Sequence, residues 1–133
     1  EIIKDIIDKN KLSNVYLVDS VEEDELKFLI NNSDIGIVNY NQDDSNNRYC
    51  ASGKIYEFVY EEKPVVTTEN VPLIDICNKY GIGVADNNYV NGILKVKSEY
   101  SFFKNNVLQF LKKIDVEDNN KKLVKLIKYR LFG

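Results

Sequence analysis

The chain reads as an α/β domain built on a parallel, Rossmann-like sheet with helices on both faces. Three observations predict this. There are four short apolar runs, amphipathic stretches alternate with them, and the length of 133 residues suits one domain. Runs that are apolar throughout, rather than alternating, belong to strands buried on both faces. A chain of this size buries roughly two-thirds of its unfolded surface, enough for a real core.

Ile2, Ile3, Ile6 and Ile7 fall at helical spacing over residues 2–9, forming one apolar stripe. Val15-Tyr16-Leu17-Val18 reads as a buried strand. Ser20 with Glu23 matches a capping box and opens a helix over 21–31, with Leu26, Leu29 and Ile30 inward. Ile35-Gly36-Ile37-Val38 is a second strand, and residues 39–51 form a polar loop rich in Asn and Asp. A helix over 53–60 follows, then the strand Val65-Val66-Thr67. Pro72 suits the first turn of a helix over 72–79. Gly81-Ile82-Gly83-Val84-Ala85 is a turn and a fourth strand. Residues 89–97 are ambiguous and weakly helical. Helices over about 100–113 and 119–131 fill the C-terminal stretch 100–133. Parallel sheets bind ligands beyond the carboxyl ends of their strands. That places the loops at 39–51 and 67–70 on the binding edge. Tyr16, Tyr56 and Tyr60 occupy apolar positions and are expected to be core or half-buried.

Composition excludes several functional classes. Hydrophobic residues make up 44% and charged residues 29% of the chain, ordinary for a soluble globular protein. No apolar run approaches the ~20 residues of a membrane span. The absence of His removes the commonest general base and metal ligand. Cys50 and Cys77 lie far apart without CxxC spacing, so reduced thiols in a cytoplasmic protein are expected, Cys50 as a small buried residue. Residues 1–111 hold 11 basic and 18 acidic side chains, a net −7, whereas 112–133 hold 7 and 3, a net +4. A nucleic-acid binder would be basic over a whole face, so that class is set aside. Asp43 and Asp44 read as solvated loop acids, and no metal is expected. A chain that begins at Glu1 and holds no Met is expected to be a piece of a longer protein.

The segment Ser52-Gly53-Lys54-Ile55-Tyr56-Glu57 carries the most chemical information. Backbone N–H groups at a helix start form an anion site. Lys54 adds a cation there, and Glu57, in the second turn, can accept hydrogen bonds from hydroxyls. These groups together suit a sugar nucleotide, with the diphosphate at the helix tip and sugar hydroxyls on the acid. Arg48 and Tyr49 adjoin this site and Thr68 lies in the neighbouring loop, so all three are further candidates for donor contact. Each residue also has a plainer reading: Glu57 and Lys54 as solvated helix residues, Ser52 as an N-cap, Arg48 and Tyr49 as surface loop residues.

The ordered series of motifs resembles the carboxyl-terminal, donor-binding half of GT-B-fold glycosyltransferases, of the type that builds bacterial surface polysaccharides. The matching pieces are Asn14-Val15, Val21 with Glu25-Leu26, Ser33-Asp34-Ile35-Gly36-Ile37, and Ser52, Lys54 and Glu57-Phe58. They continue with Lys63-Pro64-Val65-Val66-Thr67-Thr68 and Gly81-Ile82-Gly83-Val84. The match covers roughly residues 1–95. The resemblance implies that Glu57 binds the donor ribose and that Ser52 and Gly53, helped by Lys54, hold the diphosphate. It implies hexose transfer from a nucleoside diphosphate sugar to a glycan or lipid-linked hydroxyl, with no other cofactor and no metal. It assigns no catalytic residue. Tyr49 stands where many members carry an acid, eight positions before Glu57, and Glu62 stands where a Gly is usual. The family's first strands, with their glycine-rich turns, and its amino-terminal acceptor half have no counterpart here, so the isolated chain is expected to be inactive.

Two other readings stay open beside hexosyl transfer: a non-catalytic glycosyltransferase-like binding or scaffold module, and half of a nucleotide-sugar epimerase. The C-terminal stretch also has two readings. Leu123, Ile127 and Leu131 share one face, with Lys121, Lys122, Lys125 and Lys128 mostly elsewhere. Such a helix can pack on this domain or the acceptor half, or lie peripherally on an anionic membrane.

Overall fold

The structure is a computed structural model that describes residues 2–18, 20–43, 45–49, 53–114 and 116–132, without the side chains of 116–118, 131 and 132. It is an α/β fold with a Rossmann-like parallel sheet of three strands flanked by helices. The strands are β1 (Gly36–Val38), β2 (Val65–Thr67) and β3 (Gly83–Ala85), in that order across the sheet. The register pairs Gly36 with Val65 and Val65 with Gly83. The helices are α1 (Ile2–Asn10), α2 (Glu23–Asn31), α3 (Ser45–Tyr49) and α4 (Lys54–Tyr60), then α5 (Val71–Tyr80), α6 (Tyr89–Ser98), α7 (Tyr100–Lys113) and α8 (Val116–Phe132).

The central strand organises the packing. Val65, Val66 and Thr67 are all fully buried. Because side chains alternate along a strand, Val65 and Val66 enter different cores. Val65 packs with Val38, Ile55, Val59, Leu73 and Cys77 beneath α4 and α5. Val66 packs with Val96 of α6 and Phe103 of α7. Helix α7 serves both cores, since its Val107 and Phe110 join the first. It crosses the amino ends of the strands: the Lys104 ammonium donates to the Glu62 carbonyl at 2.8 Å, and the Tyr100 hydroxyl donates to the Asp34 carbonyl at 3.3 Å.

Glycine is required where elements approach most closely. A Cβ on Gly83 would strike the Val65 carbonyl, and one on Gly36 would strike the Phe58 ring. Gly81 ends α5 in the left-handed region, φ 62°, which glycine adopts without a steric penalty.

Several expectations change. Residues 15–18 form no strand; they have no regular secondary structure and are exposed, and Tyr16 keeps 82% of its surface in water. No described strand lies beside them to pair with their backbone. Tyr60 is also exposed, whereas Tyr56 is half-buried. The helix N-cap is Glu22 rather than Ser20, and the Glu25 carboxylate accepts the Glu22 N–H at 3.0 Å. The ambiguous stretch 89–97 is a full helix, because the Asn88 side chain caps it by accepting the Asn91 N–H at 3.2 Å. The loop 39–51 contains the short helix α3. The α1 stripe is real, but it has no buried residue. Cys50 lies outside the described residues.

Two predictions test this packing. Gly83→Ala must displace the β2 backbone and is expected to cost about 1–3 kcal/mol, read by urea denaturation. Burial pushes the Cys77 thiol up to about 11 from 9.0, with a smaller opposing contribution from the Thr67 hydroxyl. The unfolded thiol then ionises before the folded one, so stability is full below pH 9 and falls as pH rises toward 11. A fall of roughly 2–3 kcal/mol across that window, reduced in Cys77→Val, is the expected outcome.

Candidate functional site

The loops that leave the carboxyl ends of the strands are braced by an amide network. Beyond β1, the Tyr40 N–H donates to Thr68 Oγ1 at 3.1 Å. Beyond β2, the Glu69 N–H donates to Asn87 Oδ1 at 3.0 Å, and Gln42 and Asn87 join by paired side-chain bonds of 3.2 Å. The Asn70 amide donates to the Asn47 carbonyl at 2.9 Å and so ties α3 to the start of α5. Asn and Asp side chains favour such contacts because they mimic a backbone turn. The Asn-rich loop is therefore held by three strand ends at once.

Among the described residues, the buried oxygens Asn70 Oδ1 and Tyr89 Oη have no hydrogen-bond partner, whereas the Thr67 hydroxyl is engaged with the Cys77 thiol. Asn70 is fully buried at the N-cap of α5, yet its oxygen caps nothing. Burial pushes the Tyr89 phenol above its ordinary value.

Glu57 lies one turn into α4, in a groove between α4 and α2 of about 230 Å³. Glu23, Leu26 and Ile30 of α2 face Glu57, Tyr60 and Glu61 of α4 across it. Lys27 pairs with Glu61 at 3.5 Å at its rim. Three carboxylates and one ammonium give the groove an acidic balance. It suits hydroxyls or a cation better than a phosphate.

The sequence-expected residues fall into three groups. Gly53, Lys54 and Glu57 lie together at the start of α4, with Gly53 as N-cap and helical in its own backbone. Arg48 and Tyr49 are exposed at the end of α3, on the same edge of the sheet. Thr68 is almost fully buried and braces the loop, its Oγ accepting the Tyr40 N–H. Ser52 lies outside the described residues. Among the described residues no group of His, Cys, Asp and Glu could hold a metal ion, and no helix is long and apolar enough to cross a membrane.

Sequence reasoning missed the bracing pair Asn70 and Asn87. Asn70 stands directly before α5 and Asn87 two positions before α6, but neither caps its helix, so the N-cap pattern does not announce their bracing role. It also missed that α2 forms the second wall of the Glu57 groove. No family model, curated protein or solved structure matches the chain.

Removing the Asn70 side chain removes its hydrogen bond to the Asn47 carbonyl and leaves a cavity at a fully buried position. Asn70→Ala is expected to cost about 1–2 kcal/mol and to speed tryptic cleavage after Arg48, measured by limited proteolysis.

Proposed function

We propose that this domain is the donor-nucleotide-binding half of a glycosyltransferase that moves a hexose from a nucleoside diphosphate sugar to a hydroxyl acceptor. The observation that carries the reading is the pairing of two chemically distinct surfaces at the start of α4. Glu57 and its groove offer carboxylates to ribose hydroxyls. The edge with Gly53 and Lys54, one turn away, offers a backbone start and a cation to a diphosphate. A leaving diphosphate stabilised there would meet charge that grows in the transition state.

The Glu62 turn supports the same reading. Glu62 adopts φ 61°, left-handed backbone, at the position where the resembling family usually has Gly. The turn thus has the shape that a glycine there would serve, and the Lys104 ammonium reaching the Glu62 carboxylate at 3.0 Å helps hold the substitute. Tyr49, 63% exposed where an acid is usual, favours the second reading, a non-catalytic nucleotide-binding module. Turnover by a protein containing both halves separates the two.

The expected result is selective binding of one of UDP, GDP, ADP or dTDP, measured by calorimetry. Glu57→Ala should weaken it by about 1–3 kcal/mol, the cost of leaving buried hydroxyls unpaired. Unchanged affinity in the variant would remove the ribose assignment.

A further inference from the structure

Two surfaces of this domain are exposed, apolar and opposite in charge. One lies on α2, on residues other than those that line the Glu57 groove. There Val18, Val21, Phe28 and Leu29 line a depression of about 420 Å³ edged by Asp24 and Glu25. Phe28 keeps 65% of its surface in water. Glu22, at the N-cap of the same helix, adjoins these acids in sequence. The other surface is α8. Leu123, Val124 and Ile127 lie along one side of this helix, each about half exposed. Lys125 and Lys128 flank them, one turn apart, and Arg130 follows. Every described side chain of α8 from Asn119 to Arg130 is exposed.

We propose that α8 of one copy seats in the α2 depression of a second copy, so that two copies form a closed dimer with two equivalent contacts. The argument is complementarity of charge and shape together. An amphipathic helix laid in an apolar groove buries its stripe and keeps its flanking charges at the rim. Here the rims are lysines on the helix and acids on the groove. Phe28 supplies the aromatic anchor that such interfaces centre on. Within one copy neither surface covers the other, since the side chains of both stay exposed. Helix α7 ends with Phe110 against Tyr80 of α5, 4.5 Å between ring centres, and α8 leaves from there. Helix α2 lines the Glu57 groove together with α4, and the depression is lined by other residues of α2. Exchange between copies satisfies both surfaces, and two-fold symmetry doubles the contact. This inference is independent of the proposed activity.

Sedimentation equilibrium of the intact chain tests it. The unmodified protein is expected to dimerise, more weakly at high salt. Lys125→Glu with Lys128→Glu should raise the dissociation constant by about tenfold or more, since like charges then face each other. Asp24→Lys should also weaken the dimer, and mixing the two variants should recover association as a heterodimer. Phe28→Ser, a change on an exposed ring, should weaken it with the circular dichroism spectrum unchanged. A monomer at every soluble concentration would overturn the proposal. So would a dimer indifferent to these substitutions, or a monomer that α8 carries onto phosphatidylglycerol vesicles.

Discussion

The fold depends on one short strand that has no solvent-facing side. β2 is three residues long, buried throughout and paired on both edges. A three-residue strand supplies few ladder hydrogen bonds, so its stability must come from the two cores that clamp it. The neighbours are shaped accordingly. Gly83 lets β3 approach the Val65 carbonyl, and Gly92 lets α6 press against the Val66 side chain, where a Cβ would come within 2.6 Å of its nearest methyl carbon. Close packing of this kind leaves no slack for added volume. It also helps set the position of the loops beyond the carboxyl ends, since each begins directly at a strand held against β2.

The two faces of the sheet are not equally covered. Gly36 and Val38 direct their backbone groups to β2, through Gly36 N–H to the Pro64 carbonyl at 2.9 Å and Thr68 N–H to the Val38 carbonyl at 3.1 Å. Alternation turns the backbone of Ile37 outward, and its side chain is 43% exposed. β1 is thus an edge strand of the described sheet, with an apolar side chain partly exposed on one face. Natural edges are usually kept short, and this one is.

The parts of the fold legible in sequence were those where local pattern and tertiary environment agree. The runs at 36–38, 65–67 and 83–85 are apolar, short and bounded by helix signals, and all are strands. The stretch at 15–18 carries the same β-prone residues yet forms none. A strand needs a neighbour for its backbone groups, and propensity alone does not supply one. The α6 helix was obscured for the opposite reason. Its Asn91-Gly92 pair argues locally against a helix, while packing of Gly92 on Val66 and the Asn88 cap stabilise it. Of the candidate site, the cluster at the start of α4 was legible because it is contiguous in sequence. The bracing asparagines and the α2 wall were not, because their partners are 18 to 45 positions away, beyond the reach of any local pattern.

Electrostatics constrains how the candidate site can be used. Glu23, Glu57 and Glu61 place three carboxylates around one groove, and Lys27 offsets them in part. A diphosphate seated in that groove would face repulsion at short range, which water screens incompletely in a partly enclosed space. Hydroxyls carry no such penalty and supply the donors that carboxylates accept. On the reading proposed above, the phosphate of a bound nucleotide would point out of the groove toward Lys54, about one helical turn from Glu57, a separation of roughly 5 Å along the axis. That spacing is comparable to the distance between a ribose and the first phosphate attached to it. On the same reading, the acid and the cation would serve one ligand with its sugar over α2 and its phosphates at the sheet edge. Reversing the charges at the two positions would not reverse the ligand, because Glu23 and Glu61 would still repel phosphate from the groove.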